Sequence, residues 1–436
     1  MATAPPTGSG GDRRLARTAR SQVLPEAVGP AHVGVVSFLA ARAAPTGGFW
    51  IALAGGVALA RVAQRHGARL GFGASGASML ETVAIIGPAR FGVPLTQALS
   101  APILGRLNAR GVGFWPQLAA CATVRLLHNA ATTAFFIWVI AGGLDAYAGT
   151  YDAIGRRVGI EVGTADALAL TVVSLLAWAA FASTVQVLVY RHGLRSWPHL
   201  DRQHRGEPEP PPEPGWQRNV AESATDLCHL RRFDPRAVTL SAAVVFILLL
   251  ASTEWALLVA VTGWLAVAWL LSRPDRDPIP AGLLFAAILA TGAFVFALGG
   301  GLGLEVALRR ALRAALLVLT ATWLRAAARA AGLREVSRRV LGRLRRVPSA
   351  PEASAVLDSI ASEGRLAAAA RSLADLVGQA PMRSRPLVDA VLAWVVRESQ
   401  AYAPSPPGRP LRLRARAADW VLVSSAALPF LAIPLG

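Results

Sequence analysis

Long apolar runs separated by clusters of arginine constrain this chain more than any other feature. A stretch such as Phe114–Ile140 is a poor segment for water and suits a bilayer, whose hydrocarbon core takes about 20 apolar residues to cross. The arginines gather at 13–20, 191–236, 309–346 and 409–416, outside the longest runs. Arginine beside a span marks its cytoplasmic end and attracts anionic lipid headgroups. Only 16% of the residues are charged and 54% are hydrophobic, whereas a soluble domain carries about 25% charged residues. These features predict an all-α, polytopic helical membrane protein of the cell membrane. The net charge of +18 is read as juxtamembrane charge rather than a nucleic-acid footprint, so no nucleic-acid partner is expected.

All 44 basic residues are arginine. Without lysine there is no phosphate loop of the G-x-x-x-x-G-K-[ST] type, no Schiff-base lysine and no kinase lysine. Any ATP-driven work therefore needs a separate ATP-binding subunit. The two cysteines, Cys121 and Cys228, support neither a disulfide framework nor a four-cysteine zinc site. No cluster of His, Asp and Glu converges in the sequence, so neither an enzyme nor a cofactor or metal site is expected. Gly71–Gly76 has no lysine after it and carries no nucleotide role.

The apolar segments form two membrane blocks. Residues 1–30 are expected as a disordered basic cytoplasmic tail. Residues 31–190 form the first block, with about six short helices: Val33–Ala44, Gly47–Ala63, Ala74–Gly87, Gly92–Leu107, Phe114–Ile140 and Ala165–Tyr190. Proline and glycine interrupt them at Pro45, Pro88, Pro94, Pro102 and Pro116. Broken helices at membrane depth are tolerated where protein or a cavity surrounds them, so this block is a candidate substrate-binding unit; close packing through small residues explains the same pattern. Residues 191–232 form a Pro/Glu/Arg-rich linker whose tract Glu207–Pro214 acts as a polyproline spacer. Residues 233–436 form the second block, with spans over Ala237–Leu250, Ala256–Leu271, Ile279–Leu298, Glu305–Ala330 and Trp420–Pro434.

Residues 332–400 depart from the membrane pattern. Leu333, Val336, Val340, Leu344 and Val347 recur at three- and four-residue steps, one apolar stripe on a helix. Arg334, Arg338, Arg339, Arg343, Arg345 and Arg346 cover the rest. Such a helix lies on a membrane surface or docks its stripe on a partner. Two further helices follow, opened by Pro351-Glu352 and Pro386-Leu387. Together they read as a cytoplasmic docking module.

In the first block Arg125, His128 and Asn129 share one face of a helix by their spacing. Ionisable groups inside a span are costly and face the interior or a cavity. They are candidate ligands for an anionic or heteroaromatic substrate, or, for Arg125, a mark of a helix end. Glu81 shares that cavity or pairs with Arg90. Asp145, Tyr147, Tyr151 and Asp152 read as a polar loop that gates the pocket, or as plain loop composition. Glu305, four residues before Arg309, is expected to form an ion pair.

The second block resembles the transmembrane T component of energy-coupling factor transporters. The resemblance rests on Phe233-Asp234-Pro235-Arg236 before the first span, the run of spans, Arg309–Gly332 leading into Arg334–Pro348, and Arg414–Trp420 before the closing span. It covers about 233–436. It implies partners in the form of a pair of ABC ATPase subunits, docked by coupling helices that end in Ala-Arg motifs; Ala370-Arg371-Ser372 is similar to the first. The second departs, reading Ser399-Gln400-Ala401-Tyr402 without the arginine, and Gln lacks the charged fork of Arg. The resemblance implies ATPase-coupling roles for Arg338, Arg339, Arg343 and Arg371. By length and helix count alone, residues 31–190 resemble a substrate-binding S component fused to it, and a separate S component is a further candidate partner. The expected function is a transporter subunit with no ATP site of its own, serving uptake of a vitamin-like solute. The alternative is a non-transporting membrane scaffold whose arginine-rich helices recruit lipid or protein. The cobalt and nickel substrate subunits resemble one another in an N-terminal histidine motif; His32 and His66 lack that arrangement, so a metal substrate is disfavoured.

Overall fold

The computed structural model describes residues 10–43, 48–88, 92–204, 233–344, 346–360, 363–379, 384–402, 411 and 413–432, and within them there is no strand. The helices are α1 (Gly10–Ala43), α2 (Gly48–His66), α3 (Ala68–Ile86), α4 (Gly92–Ala109), α5 (Phe114–Phe135) running into a π turn (Phe136–Ala141), α6 (Leu144–Arg157) and α7 (Thr164–His204). After the linker come α8 (Pro235–Ala251), α9 (Trp255–Ser272), α10 (Pro278–Gly299), α11 (Leu304–Arg343), α12 (Ala350–Ser359), α13 (Glu363–Gln379), α14 (Ser384–Ala401) and α15 (Ala417–Ala426).

Among the described residues, five helices are long and apolar enough to cross a bilayer: α5 with its π turn, α7, α9, α10 and α11. Their surroundings differ. In the most apolar stretch of α5 and of α7 only 17% of residues are buried, against 72% for α11. Leu127, Trp138, Leu176, Phe181, Leu270, Leu284 and Ile288 are among the large apolar side chains left exposed on the peripheral helices. A solvated protein does not carry a continuous apolar belt of this kind; lipid is its natural cover. This supports a multi-pass membrane protein.

Helices α1 to α4 are not among those five. Helix α1 is apolar on all sides from Ala27 to Ala40 because protein covers all sides: Val28, Val33, Val36 and Phe38 have no exposed area. Helices α2, α3, α13 and α14 pack around it. The approach to α2 is close at Gly55, where an added Cβ would lie 2.8 Å from Ser37 Cβ and 3.2 Å from Gly34 Cα. The helix begins at Gly10, and its buried part reaches back to Ala27, so the expected tail boundary at residue 30 falls inside a packed helix. Residues 191–204, read as the start of the linker, continue α7; the proline tract lies outside the described residues.

Two larger apolar cores organise the chain. One joins α1 to α4 and the latter half of α7 with α12, α13 and α14. The other joins α8, α9, α11 and α15 and takes in Ala84 of α3. Helix α11 is bent at Arg329, whose backbone (φ 60°, ψ 162°) leaves the helical region. The bend falls close to the point where the apolar span was expected to give way to the arginine-rich helix.

Candidate functional site

A groove of about 390 Å³ lies between α5, α6 and α7. Thr132, Phe136, Tyr147, Tyr151, Thr171 and Ser174 contribute to its lining. Tyr147 Oη lies 2.7 Å from Thr171 Oγ1 and donates to Tyr151 Oη at 3.2 Å. The Tyr151 phenol is pushed up to about 12, first by its hydrogen bond to Tyr147 and then by burial, so the groove presents neutral hydroxyls and aromatic faces. The segment read as a polar loop at 145–152 is helix α6. Its tyrosines recur at i and i+4, which puts both on the face turned to the groove. The π turn at the end of α5 forms the adjoining wall, a winding often found beside functional sites.

Deeper along the same helices lies a buried polar network. Arg125 Nη2 donates to Gln186 Oε1 at 2.7 Å, and Cys121 Sγ donates to the same oxygen at 3.2 Å. Gln186 Nε2 donates to Ser100 Oγ at 2.6 Å, and Tyr190 Oη donates to Gln97 Oε1 at 3.0 Å. The Arg125 guanidinium also sits 5.8 Å from the centre of the Phe49 ring, within cation–π range. Of the residues expected to act together, Arg125 and Asn129 share this side of α5. Asn129 Nδ2 is buried without a partner. His128 is half-buried, with no side-chain hydrogen bond among the described contacts. Glu81 is not joined to them: it is bound to α11 instead, accepting from Arg334 Nε at 2.6 Å and from Arg334 Nη2. Arg90, its other expected partner, lies outside the described residues. The sequence reading missed Gln97, Ser100, Ser183, Gln186 and Tyr190. The last three were visible as polar residues inside an apolar run, but nothing in spacing could join them to α4.

The arginine-rich segment divides into a clamped half and an exposed tip. Glu335 accepts from Arg338 Nε at 3.0 Å and from Arg339 Nε at 2.8 Å. Arg339 Nη2 also reaches Leu411 O at 3.3 Å. Beyond them Val340, Leu344 and Val347 are 44–49% exposed, and Arg343 and Arg346 are exposed among them. Arg371 is exposed on α13, whose Leu366 and Leu373 are buried in the α1 core.

Helices α12 to α14 are tied to the first half of the chain by charge as well as packing. Arg69 pairs with Glu352 at 2.8 Å and His192 with Asp389 at 2.9 Å. His32, fully buried on α1, contacts Glu398 at 3.1 Å and stacks on Tyr402 with centroids 4.4 Å apart. Burial alone would raise the Glu398 carboxyl, but the His32 hydrogen bond and charge, with Arg365 and Arg397, outweigh it and hold the group below the usual carboxylate range. A depressed carboxylate contributes stability above its unfolded value, about 4.3, and loses it as pH falls through the folded value. Glu398→Gln is therefore expected to lower stability at pH 7 by about 1–2 kcal/mol, and the gap to the wild type should be narrower at a pH below the folded value, which itself lies under the usual carboxylate range. Thermal melts at both pH values check this; a constant gap would remove the carboxylate from the account.

Two of the segments on which the resemblance rests, Phe233–Arg236 and Arg414–Trp420, meet in space. Asp234 N donates to Asp419 Oδ1 at 2.7 Å, and Arg416 N donates to Asp419 Oδ2 at 2.6 Å. Asp234 in turn caps α8 by accepting from Arg236 N at 2.8 Å. Burial would raise the Asp234 carboxyl, but its bonds to the Arg236 fork and backbone hold it low. Glu305 pairs with Arg309 at 3.1 Å, as its spacing predicted. No group of three metal-ligating side chains occurs among the described residues. The chain matches no protein-family model, no characterised protein and no solved structure.

Proposed function

We propose that the protein is the membrane subunit of an energy-coupling factor type importer, passing ATP hydrolysis in a pair of partner ABC ATPases to the uptake of a small vitamin-like solute. The observation that carries this reading is the exposed tip of α11. Val340 at the end of α11, with Leu344 and Val347 in the turns that follow it rather than on the expected helix, forms an exposed apolar surface beside Arg343 and Arg346, and such a tip fits a groove on a partner. In this reading the tip, α12 to α14 and the N-terminus lie on the cytoplasmic side. Arg371 adds a second exposed contact, and Arg338 and Arg339, braced on Glu335, stiffen the approach. Movement imposed at the tip passes back along α11 to Arg334, and through Glu81 into α3. Helices α12 to α14, wrapped on α1, give it a second route. Residues 31–190 then form the substrate side, and anionic lipid supports the arginine clusters.

Affinity purification in mild detergent, with mass spectrometry, tests the proposal. Two ABC ATPases are expected with the wild type and are lost in the double variant Arg343→Glu, Arg371→Glu. Both side chains are exposed, so the variant should keep its stability within about 0.5 kcal/mol. Recovery of the protein without any ATPase, after co-expression with candidate subunits, would overturn it. One observation favours the scaffold reading: Gln400, which stands where the resemblance calls for arginine, is tied to the end of α7, its Nε2 donating to Asp201 O at 3.2 Å. A scaffold would recruit lipid or protein through the same arginines, and their reversal would leave solute uptake unchanged.

A further inference from the structure

Three arginines are buried within the described helices, Arg125, Arg313 and Arg325, each 5% exposed or less. Arg313 is answered at each nitrogen, and Arg325 has a carboxylate partner. Arg313 donates to three backbone carbonyls, Leu249 O at 2.5 Å and Val139 O and Leu250 O at 2.9 Å each. Arg325 donates to Ile85 O at 2.6 Å and pairs with Asp275 at 3.6 Å. Arg125 has an amide oxygen, a thiol beside it and a ring face, but no carboxylate. Its Nε is buried without a hydrogen-bond partner, as are Asn129 Nδ2 and Gln97 Nε2. A buried cation with unanswered N–H donors on its own helix and on α4 lacks an acceptor with negative charge. A cationic ligand would be repelled, and an apolar one would leave the donors unpaired at a cost.

The groove and this cluster lie along the same α5–α7 seam, the groove at the Thr132–Thr171 end and the cluster deeper in. Thr132, Asn129, Arg125 and Cys121 follow one another along one side of α5 at three- and four-residue steps. Thr171, Ser174, Ser183, Gln186 and Tyr190 run down the partner helix α7 in the opposite direction, and α5 and α7 are packed together. Thr132 and Arg125 are seven residues apart, about 10 Å along the helix. A groove of about 390 Å³ is within the usual size range of small-ligand sites.

We propose that the α5–α7 seam binds a small organic anion, admitted through the Tyr147–Tyr151 groove and held at Arg125. This deepens the importer reading and rests on it for the direction of movement. The aromatic lining of the groove suits an anion with an aromatic or unsaturated body, and the Arg125 fork suits a carboxylate.

The test uses the full-length protein in nanodiscs of phosphatidylcholine, without ATPases, in buffer free of other small organic anions. Benzoate is the probe and benzamide its neutral control. Benzoate is expected to raise the melting temperature with concentration and benzamide to have no effect. Arg125→Met removes an unanswered buried charge, so it is expected to raise the melting temperature without ligand by about 2–4 °C and to abolish the benzoate response. Should Arg125→Met fail to fold, Asn129→Leu is expected to weaken benzoate by about fivefold or more while keeping the fold. The proposal is overturned if benzoate has no effect on the wild type, or if Arg125→Met melts lower and the wild type treats benzoate and benzamide alike. It is also overturned if phosphatidylglycerol protects and benzoate does not, since the anion is then a lipid headgroup. ATPases that co-purify with a protein indifferent to benzoate would leave the importer reading standing and remove this one; benzoate binding without ATPases would do the reverse.

Discussion

Arg334→Ala is expected to cost about 3–5 kcal/mol, the usual penalty for stranding one partner of a buried ion pair. Glu81 is 1% exposed and accepts both arms of the Arg334 fork. Removing the arginine leaves a carboxylate inside the helical core without its counter-charge. Glu81→Gln should cost less, because a neutral amide needs no counter-charge. The double variant Glu81→Gln, Arg334→Ala should recover much of the loss of Arg334→Ala, giving a coupling energy of at least about 1 kcal/mol. Thermal or chemical melts of the four proteins in one detergent check this. Additive losses would mean that the pair is not the join between α3 and α11 described above, and the proposed route for movement into the first block would lose its first step.

The second large effect is expected at Gly105→Val. Helix α4 crosses α2 so closely that even a Cβ at Gly105 would overlap the Ala60 carbonyl. The obstacle is backbone, so no side chain can rotate away. Overpacking in a tight core costs about 1–3 kcal/mol and sometimes more; here α4 has to move off α2, which would also disturb Gln97 and Ser100 in the Arg125 network. Gly105→Val should therefore lose most folded protein, and Gly105→Ala should be milder but still destabilised. By contrast Gly149→Ala, where an added Cβ meets nothing within 4 Å, should be nearly silent. Monodispersity on size exclusion separates the three. A Gly105→Val protein as stable as Gly149→Ala would contradict the α2–α4 crossing.

The all-helical character was legible because long apolar runs leave the backbone no partner but itself in a bilayer. Runs such as Phe114–Ile140 and Ile279–Leu298 correspond to helices long and apolar enough to span. The sequence could not show which apolar helices meet lipid. Helix α1 has the composition of a membrane segment, yet its residues from Ala27 to Ala40 are covered by protein; an apolar face fits lipid and a protein core equally well. The same limit applied to the site. Arg125 and Asn129 were found because a charge inside a span is costly, and Glu81 for the same reason. The partner of Glu81 lies 253 residues away in the chain, a pairing no local pattern encodes. Phe233–Arg236 and Arg414–Trp420 were legible as separate motifs, and their meeting at Asp419 was not.

In the proposed importer the tip of α11 touches an ATPase. The most direct measurement places a photo-crosslinking amino acid at Arg343, and for comparison at exposed Arg157 on α6, in cells expressing the full-length protein. The account predicts a crosslink from position 343 to an ABC ATPase subunit, weakened when Arg371→Glu is added, and none from position 157. Crosslinks from 343 to lipid alone, or to a protein that binds no nucleotide, would contradict it.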